Sequence, residues 1–259
     1  MKYHKVIIIL LLSFSITVYA VNSTQIKLGN IGGTAIMTLV RGILQGKVHN
    51  LKDIGKMLLY GGISGYGFYQ SKNLISKGKV LPGVVLANLS VSVVENVSNR
   101  NHLLSHIGYS LGFARINIST PFNKNKGSII NVDISPKEII ALFVAIKYSN
   151  KIVFKDGVIS FKAKEKFGNA IGWCAGAFPT VVENIKEYVY KHEVIHMVQN
   201  LQLISVSYEP FFKKKKHHSL FDFHIRTQSL NVVFGILNTK DYDKNIKEIE
   251  THYFVKDRG

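Results

Sequence analysis

The stretch Tyr188–Gln202, YVYKHEVIHMVQNLQ, holds two histidines four residues apart, with a glutamate directly after the first. No Gly or Pro interrupts the chain from Glu183 to Ile204, so the pattern predicts one helix over that span. Positions i and i+4 of a helix share a face, with Cβ atoms about 6 Å apart. His192 and His196 therefore present two imidazole nitrogens to one spot, where a tetrahedral metal can accept both. Glu193, one position round the helix, falls beside such a metal rather than on it, where a carboxylate takes a proton from an activated water. The alternative is a structural histidine pair on a core helix. Val189, Val194, Ile195 and Val198 supply apolar company that keeps bulk water away from a metal.

The segment resembles the HExxH zinc metallopeptidases, the zincins. Their metzincin branch extends the motif to H-E-x-x-H-x-x-G-x-x-H, but here the glycine position holds Gln199 and the third histidine position Gln202. Gluzincin-like families take the third zinc ligand from a glutamate on a later helix, and beyond the motif the chain offers Glu209, Glu248 and Glu250. Glu209 precedes Pro210. The other two lie in DKNIKEIETHYF (243–254), a predicted helix capped by Asp241 or Asp243, which is similar to the E-x-E-A-D ligand helix of some gluzincin-like peptidases. That resemblance implies Glu248 as the third Zn²⁺ ligand, with Glu250 as its substitute. Thr251 and His252 depart from the pattern. His252 shares a face with Glu248 and is a candidate oxyanion donor, supporting group or ligand; Tyr208, His224, Arg226 and Tyr253 are further oxyanion-donor candidates. Without the metal, Glu248 reads as a solvated helix residue near Lys244 and Lys247.

His102-Leu103-Leu104-Ser105-His106 repeats the four-residue spacing with leucine in place of the glutamate, so it lacks a base and reads as a surface or core helix feature. Cys174, the single cysteine, reads as a small buried residue, and an exported chain with one cysteine has no internal disulfide.

The fold class expected is α+β with a zincin-like layout: glycine-rich N-terminal helices, a small β region, an active-site helix and a C-terminal ligand helix. Residues 1–20 read as a signal peptide, with basic MKYHK, the apolar run Val6–Val18, and the small-x-small exit Val18-Tyr19-Ala20. Residues 21–110 read as a helical, glycine-rich region. Within it MLLYGGISGYGFYQS (57–71) has four glycines and no charge, which suits close helix packing in a soluble hairpin or in a membrane. Residues 111–259 read as the zincin-like α+β region. There ARINIST (114–120) and SIINVDI (128–134) alternate as strands do. Ser135-Pro136-Lys137-Glu138 starts a helix as a capping box, and Asp156-Gly157 turns a hairpin spanning Ile152–Phe161. That hairpin, or the segment Trp173–Phe178, is the expected edge for pairing a peptide substrate.

The net charge of +17 points to anionic partners. Export, to a periplasm, cell envelope or exterior, makes nucleic acid the least fitting of them. The run Lys213–Lys216 with His217 and His218 reads as a solvated loop or a peripheral contact with anionic headgroups. Asn22, Asn88, Asn96 and Asn117 begin glycosylation-type triplets. Two functions fit: an exported zinc metallopeptidase acting on peptides or proteins, or a non-catalytic zincin-like envelope or membrane-associated protein.

Overall fold

The computed structural model describes residues 22–123, 129–163, 165–166, 170–204 and 246–256. The expected signal peptide and the Lys213–His218 run lie outside the described residues.

Asn22 opens helix α1 (Ser23–Leu44) with a capping box, exchanging side-chain and backbone hydrogen bonds of 2.9 Å with Gln25. Helix α2 (Leu51–Ser76) is capped by Asn50 and helix α3 (Val80–Ser98) follows after a short turn. The uncharged glycine run explains how tightly these helices pack. A Cβ on Gly61 would lie 2.8 Å from the Ala35 Cα, and one on Gly65 would meet the Asn30 carbonyl, so α1 and α2 approach backbone to backbone. Helix α3 is long and apolar enough to cross a membrane, but two-thirds of it (67%) is buried inside the molecule.

Strands β1 (His106–Leu111), β2 (Ala114–Ser119) and β3 (Ile130–Ile134) form an antiparallel meander. Its inner face is polar. Arg115, fully buried, donates to Glu95 (3.0 Å), Ser92 (2.9 Å) and Ser110 (2.9 Å), while Ile107, Ile116, Ile118, Ile130 and Val132 face outward. The HLLSH spacing does not fall on a helix, which corrects that expectation. Residues 103–104 turn, His106 opens β1 and approaches Glu95 at 3.4 Å, and His102 stacks on Phe122, so the two rings part. Asn88 and Asn96 are buried inside the same polar layer, hydrogen-bonded to Ser110 N, and to the Leu103 and His106 carbonyls.

Helix α4 (Pro136–Lys147) begins where expected, with Ser135 as its cap. Glu138 does not close a capping box. It is buried, and its carboxylate accepts from Ala177 N (2.6 Å). Strands β4 (Lys151–Lys155), β5 (Val158–Ala163), β6 (Gly172–Ala175) and β7 (Phe178–Val182) form a second sheet in the order β4-β5-β7-β6. Asp156 (φ 54°) and Gly157 (φ 74°) make the β4–β5 turn. Helix α5 (Glu187–Ile204) starts four residues later than the uninterrupted run suggested, because Asn184 takes a left-handed φ of 61° in a turn. Helix α5 packs on β6 and β7 on one side and on α2 and α3 on the other, and α6 (Ile246–Lys256) lies against α5 and α2. The class is α+β. One core cluster runs from Ile26 and Phe68 through Val91, Val181 and Ile195 to Phe254, drawing on both sides of residue 110.

Candidate metal centre

The helical spacing brings the His192 and His196 Nε2 atoms to 3.1 Å of each other. Helix α6 then delivers Glu248, whose carboxylate oxygens lie 3.1 Å from His196 Nε2 and 3.4 Å from His192 Nε2. Donor atoms of the three residues lie within 4.8 Å of one another, a convergence of two imidazoles and one carboxylate. That donor set, with borderline nitrogens and one hard oxygen, suits zinc with a fourth position open. Glu248 is 8% exposed and the histidines are half-buried, so the cluster faces partly inward.

Glu193 is 4% exposed, and its Oε2 has no hydrogen-bond partner among the described residues. Burial pushes its carboxyl up to about 8; the charge of His196 opposes this and that of Glu248 adds to it. Burial works against a charged His196, but the hydrogen bond and charge of Glu248, with Glu193 and Gln199 beside it, raise its pKa overall. Gly172 of β6 makes room for Glu193. A Cβ there would lie 2.8 Å from Glu193 Oε1 and 2.7 Å from Val189 Cγ1.

Glu250, the expected substitute ligand, faces away from the histidines. Both its oxygens lie 2.8 Å from Lys72 Nζ, and Asn30 and Gln199 also donate to it. His252 stays at the centre, its ring 5.3 Å from that of His192. Tyr253 packs instead against Phe254 and the core. Glu209, Tyr208, His224, Arg226, Asp241 and Asp243 lie outside the described residues. Cys174 is half-buried, its Sγ 3.2 Å from the Gly176 carbonyl.

Comparison with protein-family models, with curated proteins and with solved structures gives no match.

Sequence reasoning missed the layer behind His196. Gln199 Oε1 lies 2.8 Å from His196 Nδ1, and Thr251 Oγ1 lies 3.2 Å from Gln199 Nε2. Gln199 is three residues beyond His196, a spacing at which helix side chains meet, and that was the available signal.

Proposed function

We propose that the chain is an exported zinc-dependent metallopeptidase of the HExxH type with a gluzincin-like layout. The observation that carries this reading is the convergence of His192, His196 and Glu248 from two helices, with the buried carboxyl of Glu193 alongside. His192, His196 and Glu248 would hold the ion. Zinc, when bound, supplies Lewis-acid polarisation of a carbonyl and a water acidic enough to react near neutral pH. Glu193 acts as general base and then returns the proton to the leaving amine. His252 is the described side chain best situated to donate to a developing oxyanion.

Strand β6 ends the second sheet, and no described strand pairs with its outer edge. Gly172 and Ala175 bound that edge next to Glu193, and an extended peptide can add to it by main-chain hydrogen bonding. The deciding experiment is metal analysis and peptide hydrolysis by the purified chain. Wild type should carry one equivalent of zinc, His192→Ala should lose it, and Glu193→Gln should keep zinc while hydrolysis disappears. Wild type with no zinc sinks the metal reading; undiminished hydrolysis by Glu193→Gln sinks the assigned base.

A separate observation favours a membrane-surface location, whether or not the centre is catalytic. Residues 22–100 contain two acids, Asp53 and Glu95, and both are buried in ion pairs with Arg100 and Arg115. The exposed charges on α2 and at its turn into α3 are therefore lysines: Lys52, Lys56, Lys77 and Lys79. Between them, Leu59, Ile63 and Tyr66 of α2 and Leu81, Val85 and Leu89 of α3 are exposed at helical spacing. Apolar stripes bracketed by lysines suit an anionic lipid surface, with apolar side chains at the acyl boundary and ammonium groups among the headgroups.

A further inference from the structure

We propose that Lys72, acting through Glu250 and Gln199, is a positioning residue that fixes the tautomer of His196 and so presents its Nε2 lone pair to the metal centre. The inference rests on reading His192, His196 and Glu248 as that centre.

Two cations of the glycine-rich helices are buried, Arg41 and Lys72. Lys72 is 1% exposed, and an ammonium has three hydrogens and no acceptor. Its contacts use all of them: Asn30 Oδ1 at 2.8 Å, Gln202 Oε1 at 3.0 Å, and the two Glu250 oxygens at 2.8 Å. Gln202 is held in turn by donating to Thr34 Oγ1 (2.7 Å). Glu250 thus sits as a carboxylate against a cation, and an ionised carboxylate only accepts.

Gln199 lies 2.8 Å from Glu250 Oε2, so the amide atom facing Glu250 is the NH₂ group. The carbonyl oxygen of the same amide must then be the atom 2.8 Å from His196 Nδ1. A carbonyl accepts only, so Nδ1 carries the hydrogen. Nε2 is the other nitrogen, 3.1 Å from both His192 Nε2 and the Glu248 carboxylate, and it gives up any hydrogen it shares with Glu248 when it takes a metal. Thr251 Oγ1 lies beside both groups, 3.2 Å from the Gln199 NH₂ and 3.5 Å from His196 Nδ1, and accommodates this orientation by accepting from the amide. Reversing the amide would set its oxygen against a carboxylate.

The chain of contacts begins on α1 and α2. Asn30 reaches both Lys72 and Glu250, and it can do so because Gly65 lets α2 close onto the α1 backbone at Asn30. The glycine-rich pair is therefore part of the centre's support rather than a separate module. Groups of this kind, one step removed from a metal, commonly set affinity by 10–100-fold.

The test uses the full mature chain and two readouts. In metal-free Glu248→Ala protein, where no carboxylate competes at Nε2, long-range ¹H–¹⁵N spectra at a pH where the ring is neutral should show His196 as the Nδ1–H tautomer. Added to it, Lys72→Met and Gln199→Leu should each turn it into a mixture. With Glu248 present, zinc affinity, measured by competition with a chelator, should fall roughly 10–100-fold in each variant. The double variant should lose no more than the worse single one, because both act along one path. If Lys72→Met fails to fold, Gln199→Leu alone decides. A folded Gln199→Leu that keeps the Nδ1–H tautomer without Glu248, and zinc affinity within threefold of wild type with it, overturns the proposal. Wild type that binds no zinc, with the Nδ1–H tautomer present in Glu248→Ala and lost when Lys72→Met or Gln199→Leu is added, overturns the metal reading and leaves the relay standing.

Discussion

Gly172 faces Glu193 across the gap between β6 and α5 so closely that a single added carbon would stand 2.8 Å from the carboxylate oxygen. A contact of that length cannot persist, so either the strand or the glutamate must shift. Gly172→Ala should therefore keep its zinc and lose roughly tenfold or more in kcat, since displacing a catalytic group by about 1 Å costs on that order. Paired zinc and steady-state measurements check this; unchanged kcat would mean that Glu193 has room to move.

The two late glutamates should separate cleanly. Glu248→Ala removes an atom 3.1 Å from His196 Nε2 and should abolish stoichiometric zinc binding. Glu250→Ala removes the partner of Lys72 and should weaken zinc by roughly 10–100-fold while leaving a saturable site. Isothermal titration of both variants distinguishes them. Equal losses would argue against Glu248 as a direct ligand.

Acid stability should report on Glu95. The Arg115 guanidinium and His106 outweigh the cost of burial and hold this carboxyl at about 2, well below its value in an unfolded chain. A depressed folded value means that the contribution is complete above about pH 4.5 and drains away as pH falls toward 2. Denaturant midpoints should decline through that window. Glu95→Gln should be destabilised by roughly 3–5 kcal/mol at pH 7, because it strands a buried guanidinium, and should approach wild type at low pH. A pH-independent difference would locate the loss in packing rather than charge.

Membrane contact should depend on charge and on the apolar stripe together. Wild type should sediment with vesicles containing phosphatidylglycerol and stay in solution with pure phosphatidylcholine. Added salt should release it. Leu59→Gln combined with Ile63→Gln should weaken binding tenfold or more without unfolding, since both side chains are already exposed (60% and 55%). Wild type that ignores anionic vesicles at low salt would refute the location.

Local signals in the sequence carried much of the fold. Asp156-Gly157 and Ser135-Pro136 act through their own backbone preferences, so the turn and the helix start stand where those residues put them. HEVIH needed only helical geometry to bring its rings together. The inverted meander was illegible for the opposite reason. Alternation in ARINIS reveals a strand but not which face is buried, and Arg115 is inside because Glu95, Ser92 and Ser110 are there to receive it. Lys72 is the single charge between Met57 and Ser76. Its partner Glu250 lies 178 residues away, beyond the reach of any local pattern.

That separation also has a consequence in time. At roughly 5–20 residues per second of synthesis, Lys72 exists for some tens of seconds or less before Glu250 is made. The histidine pair likewise precedes its acidic partner. A chain that lacks α6 holds the two rings without Glu248 and a buried cation without its counter-charge. The three-residue cluster is thus assembled only when α6 arrives, and a molecule cut before Ile246 cannot complete it.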